Sequence, residues 1–316
     1  MVSARLRRFQ ASLTVSLILV LLVIVAGATV RVTGSGMGCP DWPLCYDCWI
    51  PPVSVEQLPA DYQTRFAVQG QLAHFDAVQT WIEYINRLLG ALAGLAIVVS
   101  LALSVWVRQG LVFPVLSGLA VVFTALVAWL GARVVETYLA PSAVTAHLAL
   151  ALVILALLLY ERELLLRRKG HERESVDAKF LAVLVFTSVA MPVQLYLGAL
   201  VREANDLSWV HELPAPGIVP SPWHVDSLHR VSAGVLAAAC GLQGYSAWKR
   251  RTQAPRLWSW SLLLGLCVAT QAVLGLVMVF FPPADVVKPL HLLAATLAFC
   301  CWLKAWLVRA SRRPGV

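Results

Sequence analysis

The chain has 316 residues, of which 59% are hydrophobic and only 13% are charged, and its formal net charge is +8. Because charged residues make up roughly a quarter of a typical soluble domain, this composition excludes an ordinary soluble protein and indicates a membrane protein. The positive charge comes from basic residues beside the apolar stretches. That bias needs no nucleic-acid partner, and it favours contact with anionic membrane lipid.

Eight apolar stretches are each long enough to cross a membrane, since a spanning helix needs about 20 residues. They predict an all-α integral membrane protein with eight transmembrane helices. The first stretch lacks a clear small-residue cleavage site, which favours a retained helix over a signal peptide. In chain order the predicted spans are 13–30, 82–107, 112–135, 144–160, 180–201, 226–248, 257–281 and 289–308.

Basic residues crowd every second flank of these stretches. They begin with Arg5, Arg7 and Arg8 ahead of the first span, recur in the loop 161–179, and end at the C-terminus. Arginine and lysine accumulate on the cytoplasmic side of membrane proteins. Both termini are therefore predicted to be cytoplasmic or matrix-side, and the segment 31–80 becomes a long outer loop.

Three cysteines lie in this outer loop, at Cys39, Cys45 and Cys48. The outer side of a membrane is oxidising, so a disulfide is allowed there. The close spacing suits Cys39 paired with either Cys45 or Cys48, which leaves one thiol over. A metal site is the alternative, although no histidine lies close to these cysteines in sequence.

The chain also repeats itself, and the repeat preserves the order and spacing of arginine, glycine and histidine. Gly131 and His147 lie 16 positions apart, as do Gly275 and His291. Chance likeness between apolar helices does not explain this order, so the sequence predicts a duplicated unit. The matched segments are GATVR (27–31) with GALVR (198–202), IEYINR (82–87) with VDSLHR (225–230), LGARVV (130–135) with LGLVMV (274–279), and AHLALA (146–151) with LHLLAA (290–295).

The duplication predicts two four-helix halves. The N-terminal half is 1–160, which includes the long outer loop, and the C-terminal half is 180–316. The basic segment 161–179 joins them on the cytoplasmic side. Both halves would then carry side chains in equivalent places.

Histidines occupy repeat-related places near the outer ends of the predicted helices. His229 and His291 lie at matched depth on the sixth and eighth spans, and His147 lies on the fourth. Two imidazoles facing each other across a helical bundle are what a bis-axial haem requires. Ionisable groups inside membranes are usually functional, although a lone histidine is more often an ordinary hydrogen-bonded residue. The second span has Asn86 where the sixth has His229.

Charged residues flank both ligand positions. Arg87 and Arg230 follow them directly and could bind haem propionates, or could extend to the outer interface. Three residues before each ligand position, and so on the same helical face, lie Glu83 and Asp226. Asp226 is best explained as an acidic residue at a helix N-terminus, whereas a chemical role is predicted for Glu83. His224 adjoins the second site and could contribute to its surroundings.

With these residues in place, the chain resembles the haem A synthase family over all eight predicted helices. The resemblance rests on VTGSGMGCPDWPLCY (32–46) followed in family order by WIEYINRLLG, VTAHLALAL, HRVSAG and LHLLAA. It implies an enzyme that oxidises the C8 methyl of haem O to a formyl group, through successive hydroxylations with loss of water. It also implies a substrate haem in the N-terminal half and a haem b in the C-terminal half.

The resemblance assigns roles residue by residue. It implies that Glu83 is required for the reaction, that His147 ligates the substrate iron, that His229 and His291 ligate the haem b iron, and that Cys39 and Cys45 are a loop cysteine pair.

Asn86 departs from the histidine that is usual in the family. An amide is a poor ligand for haem iron compared with imidazole. The substrate iron is therefore expected to be bound by His147 alone, with the other axial position open or filled by water. The alternative is that His74, in the outer loop, folds over the site.

The resemblance further implies partners and a location. Haem O and haem A are the substrate and product, and haem O synthase and an electron acceptor such as quinone are expected partners. The location would be a bacterial plasma membrane, with the haem sites toward the outer face. Both a monomer and a homo-oligomer stay open. Two other classes compete: a haem b cytochrome that exchanges electrons with quinone, and a transporter built on repeats, whose binding site would lie nearer the midplane.

Overall fold

The computed structural model describes residues 2–210, 222–281 and 285–310 of the protein, and its long elements in those ranges are α-helices. A two-residue parallel pair joins β1 (Glu174–Ser175) to β2 (Arg309–Ala310). The helices are α1 (Val2–Val32), the one-turn α2 (Tyr62–Arg65), α3 (Ala77–Val107), α4 (Val112–Glu136), α5 (Pro141–Arg168), α6 (Ala178–Val210), α7 (Pro222–Trp248), α8 (Pro255–Phe280) and α9 (Val287–Val308).

Every predicted span coincides with one of these helices. Within the described ranges, seven of them are long and apolar enough to cross a membrane, which confirms an integral multi-pass membrane protein. The exception is α7, which has 27 residues but begins with the polar residues His224, Asp226, His229 and Arg230. These lower its hydropathy, so the eighth span stays a prediction.

The chain divides into two compact units. The first contains residues 1–165 with 283–293, and the second contains 166–282 with 294–316. In the first unit α3 packs against both α1 and α4, and in the second unit α7 packs against both α6 and α8. The same order of neighbours in each unit is what a duplicated sequence would give.

The boundary between the units, after residue 165, lies inside the predicted linker 161–179. Helix α5 continues to Arg168 because its sequence offers good helix formers and has no proline or glycine between Pro141 and Gly170. Beyond it, the carboxylate of Glu174 accepts the backbone N–H groups of Arg256 (3.0 Å) and Leu257 (2.7 Å) at the start of α8. These bonds satisfy donors that a helix N-terminus leaves unpaired, so the segment after α5 is part of the second unit.

Small polar side chains join helices within the first unit. The hydroxyls of Ser16 on α1 and Ser100 on α3 are both buried and lie 3.2 Å apart. Small residues let helix backbones approach closely in a membrane, where lipid gives no hydrophobic drive for helix association. This contact and Gly27, described below, hold α1 against α3.

The segment between α1 and α3, which is predicted to be an outer loop, has a small core of its own. Tyr46 is buried with Cys39, Cys45 and Phe66, and its ring meets Phe66 edge-on with centroids 5.1 Å apart. Burial is the main reason why the pKa of Tyr46 is raised to about 12, so its hydroxyl stays protonated. The loop ends at Asp76, whose side chain accepts the N–H of Gln79 (2.9 Å) and caps the start of α3.

Candidate functional site

Glycines that the predicted repeat matches face the two residues, Asn86 and His229, that it also matches. A Cβ atom on Gly27 would lie 3.9 Å from Oδ1 of Asn86, and a Cβ on Gly198 would lie 3.2 Å from Cε1 of His229. Gly27 and Gly198 are the matched residues of GATVR and GALVR, and Asn86 and His229 are matched in the same way. Each repeat therefore uses a glycine to leave room for a side chain on the next helix.

A third glycine leaves room for His147. A Cβ on Gly131, in α4, would lie 3.5 Å from Cε1 of the His147 ring on α5. Nδ1 of His147 is buried and has no hydrogen-bond partner among the described residues, and the same holds for Oδ1 of Asn86. A buried polar atom without a partner is costly, and an imidazole nitrogen of this kind suits a metal ligand. The first unit thus fits the iron of a substrate haem at His147.

Glu83 is buried on α3, one helical turn before Asn86. Its residue is only 6% exposed, and its Oε1 accepts a hydrogen bond from Nε of Arg87 (3.0 Å). Burying a carboxylate among apolar helices is expensive unless a cation or donors compensate it. The local sequence provides that cation four residues later, on the same face of the helix.

Arg87 is also bonded to the outer loop. Its Nη1 donates to the carbonyl oxygens of Asp41 (2.6 Å) and Leu44 (2.9 Å), and its Nη2 donates to that of Cys39 (2.6 Å). A guanidinium has five N–H donors, so the protein uses four and leaves one on Nη2. The predicted propionate contact of Arg87 depends on that single donor and stays a prediction.

The loop that meets Arg87 is closed by a disulfide. Cys39 and Cys45 are joined with an S–S distance of 2.01 Å, and Cys48 is a free, exposed thiol. Of the two pairings that the sequence left open, the structure has Cys39 with Cys45. Immediately before it, a Cβ on Gly38 would lie 2.5 Å from the carbonyl oxygen of Gln79. Only glycine lets the loop lie this close to the backbone of α3.

In the second unit, His229 is held by an amide on the neighbouring helix. Nε2 of Gln194, on α6, lies 3.1 Å from Nδ1 of His229 and donates to the His229 carbonyl oxygen (3.2 Å). Ser232 donates to Oε1 of the same amide. A metal at Nε2 would require the proton on Nδ1, which then needs an acceptor such as Oε1 of Gln194 rather than its NH2 group. The contact holds the His229 ring beside α6, and its use as a haem ligand stays a prediction.

The charged pair of the second unit is more open than that of the first. Arg230 bonds Asp226 at 2.6 Å, with side chains 55% and 33% exposed, against 13% and 9% for Arg87 and Glu83. His224 is exposed at the start of α7. Arg230 thus remains accessible to an anion such as a propionate, in line with its predicted role.

The contacts above do not place His291 or His74, the two remaining candidate ligands, at a haem site. His291 lies in the part of α9 that belongs to the first unit, whereas His229 belongs to the second, so their pairing on one haem stays a prediction. The side chain of His74 is exposed, and its carbonyl oxygen accepts the hydroxyl of Tyr46 (3.3 Å). This placement favours an open axial side at Asn86 over a ligand from the loop.

Sequence reasoning missed two polar residues. Gln194 was detectable, because it lies four residues before Gly198 and so shares the helix face that meets His229. Glu161 on α5 is fully buried and accepts a hydrogen bond from Ser117 on α4 (2.7 Å). It has no counterpart among the matched segments, so the repeat could not reveal it.

The fold and these side chains define a multi-pass helical membrane protein with a carboxylate, Glu83, buried one helical turn from Asn86. Residues 10–226 match the sequence model of the cytochrome oxidase assembly protein family. The match covers well over half of the chain, which therefore belongs to this family.

Curated relatives carry a more specific name. The protein named heme A synthase from Exiguobacterium sibiricum is 27% identical over 304 residues, covering 93% of this chain and 92% of that protein. The heme A synthase of Bacillus licheniformis is 25% identical over 283 residues, covering 84% of both chains. That of Geobacillus kaustophilus is 25% identical over 291 residues, covering 87% of this chain and 82% of that protein. The predicted resemblance to the haem A synthase family is confirmed.

Proposed function

We propose that this protein is a haem A synthase, an oxidoreductase that converts the C8 methyl of haem O into the formyl group of haem A. The observation that carries the proposal is the carboxylate of Glu83, buried in a membrane helix one turn from Asn86. Simple electron transfer has no use for such a carboxylate. The relatives named heme A synthase align along most of the chain, which supports the same conclusion.

The substrate haem is held in the first unit. His147 supplies the imidazole for its iron, and the buried, unpartnered Nδ1 together with the room at Gly131 supports this assignment. The amide of Asn86 faces Gly27 and can hydrogen-bond a water or an oxygen species on the open side. One strong bond rather than two suits a site that haem O must enter and haem A must leave.

Glu83 is the proton acceptor of the reaction. Oxidation of a methyl to an aldehyde releases protons at the methyl carbon and at the oxygen added to it. A carboxylate close to that carbon can accept them, or can stabilise positive charge that develops there. Arg87 keeps Glu83 in place through the bond to Oε1. The protein thus contributes position and electrostatics, while the haem carries the redox chemistry.

The C-terminal half of the sequence, 180–316, would hold haem b through His229 and His291. The amide of Gln194 fixes the His229 ring, and Arg230 is exposed enough to bind a propionate. A haem b bound there would supply electron transfer away from the substrate site. An electron acceptor such as quinone and a haem O synthase that delivers substrate are the partners that this scheme requires.

The proposed location is the plasma membrane of a bacterium, with eight spans, both termini cytoplasmic and the haem sites toward the outer face. Basic residues on alternate flanks support this orientation. The disulfide between Cys39 and Cys45 agrees with it, since disulfides persist on the oxidising side of a membrane.

A product assay tests the proposed function. The purified protein is incubated with haem O and a quinone oxidant, and the extracted haem is analysed by mass spectrometry for a formyl in place of the methyl. A haem A synthase gives this product, whereas an electron-transfer cytochrome returns haem O unchanged. Recovery of haem O alone would favour the cytochrome.

Asn86→His should give a second bis-imidazole site. Gly27 leaves the same kind of space beside Asn86 as Gly198 leaves beside His229, so the larger ring is expected to fit. The variant should retain substrate haem more tightly and show a second low-spin signal. Turnover should stay equal or fall, because product release can limit the rate. The measurement is the absorption spectrum and haem content of the purified variant, with Asn86→Ala as its control; a spectrum identical to wild type would reject the open-side account.

A further inference from the structure

The disulfide loop and the buried carboxylate of the first unit are bonded to the same side chain. Arg87 donates Nε to Glu83 and its two Nη groups to the carbonyl oxygens of Cys39, Asp41 and Leu44. These carbonyls belong to one short segment whose ends are tied by the disulfide. A planar guanidinium has its donors in a fixed fork, so the position of the loop fixes the direction of Nε.

We propose that Arg87 is a positioning residue that locks the disulfide loop, residues 38–45, and the carboxylate of Glu83 into one rigid arrangement at the outer end of α3. The inference rests on the proposed function, since Glu83 is the group being positioned. The disulfide acts on the reaction through this contact, by holding three carbonyls where one guanidinium can reach them.

Two further contacts show that the loop is built onto α3. Gly38 lies against the backbone of Gln79, where a Cβ would come within 2.5 Å of the carbonyl oxygen. The carboxylate of Asp41 accepts hydrogen bonds from the backbone N–H groups of Tyr46 (2.6 Å) and Asp47 (2.8 Å). These bonds stabilise the turn in which the backbone carbonyl of Asp41 faces Arg87. The loop therefore has contacts of its own that hold its shape, in addition to those with Arg87.

In the part of the second unit that the structure describes, the same charge pair is not bonded to a loop. Arg230 and Asp226 have the same spacing as Arg87 and Glu83, but their side chains are 55% and 33% exposed. An i, i+4 pair alone thus does not bury its members. The loop carbonyls account for the burial of Arg87, and the same burial removes water from Glu83.

Two substitutions separate geometry from charge. Arg87→Lys keeps the cation, but a lysine has three donors on one nitrogen and cannot reproduce the four bonds. Cys39→Ser with Cys45→Ser opens the loop and leaves Arg87 intact. Each should lower haem A formation by about tenfold or more, the size usual for residues that orient a site. The loss should fall on kcat rather than KM, because Glu83 acts at the reacting carbon.

A variant that combines Arg87→Lys with Cys39→Ser and Cys45→Ser tests whether Arg87 and the disulfide act through one contact. If they do, the combined variant should lose about as much activity as either change alone, because the effects of residues in one network are not additive. Amide hydrogen exchange should speed up in residues 38–46 and in the first turns of α3, while the haem b spectrum stays that of wild type. Arg133→Lys is the matched control, since Arg133 pairs with Glu136 in an exposed position on α4.

Wild-type turnover and exchange in Arg87→Lys would overturn the proposal, and so would additive losses in the combined variant. If either variant loses haem b through misfolding, Gly38→Ala replaces it, because that change lifts the loop from α3 and leaves the ion pair and disulfide intact. If the wild type itself forms no haem A, the proposed function fails. Hydrogen exchange then decides alone whether Arg87 locks the loop.

Discussion

Glu83→Gln should lower haem A formation by about 100-fold or more and leave the haem b of the second unit in place. The size of this decrease is the one expected for loss of proton transfer, to which a positioned side chain contributes roughly 10²–10⁴ in rate. Glutamine keeps the size of the side chain, and its carbonyl can still accept the bond from Nε of Arg87. The variant therefore tests the charge and the basicity of Glu83 rather than its packing.

Glutamine is a better choice here than alanine. Removing the whole side chain would leave the buried cation of Arg87 without its partner, a loss on the order of 3–5 kcal/mol, and the effect could then be one of folding. Glu136→Gln is the matched control, because Glu136 is an exposed glutamate at the end of α4. The measurement is haem A formed per unit of protein, with the haem b spectrum as the check on folding. Wild-type turnover in Glu83→Gln would reduce Glu83 to a charge near a helix terminus.

His229→Ala and His291→Ala should each remove or change the low-spin spectrum of the purified protein. A low-spin haem b needs both axial imidazoles, and each variant deletes one of them. The His229 change should also leave the amide of Gln194 without the ring nitrogen that it contacts. Absorption and electron paramagnetic resonance spectra of each variant give the measurement.

A histidine outside the site supplies the control for these spectra. His171 is exposed in the inner loop, where its ring contacts the carbonyl oxygen of Leu166 (3.1 Å). His171→Ala should keep the wild-type spectrum. An unchanged low-spin spectrum in both His229→Ala and His291→Ala would reject the assignment of the haem b ligands.

The helices and the repeat were predictable because both leave a periodic or matched signal. Apolar length located every long helix, although α1, α5 and α6 extend 8 to 11 residues beyond one end of their predicted spans. In α7 the polar first turns make the helix less apolar than a typical span. The matched motifs paired Gly27 with Gly198 and Asn86 with His229, and the structure shows each glycine facing its partner. Here a local sequence pattern and a tertiary contact agree.

The contacts of Arg87 could not be predicted, because they join a helix to an irregular loop. The sequence showed only that an arginine follows the ligand position, and it left propionate binding and extension to the outer interface equally open. Which carbonyls a guanidinium reaches depends on the turn at Asp41 and on the disulfide, neither of which has a sequence period. The sequence also allowed Cys48 as a partner of Cys39; the fold of the loop decides for Cys45.

The haem extracted from a host that makes haem O but no haem A tests the central claim most directly. Wild-type protein is expressed there beside Glu83→Gln, and the haems are separated and weighed by mass spectrometry. The account predicts haem A with the wild type and accumulated haem O with the variant. Haem O alone from cells that contain folded wild-type protein with its haem b would contradict this account. Haem A that appears only with Asn86→His would show that the native site binds haem without oxidising it.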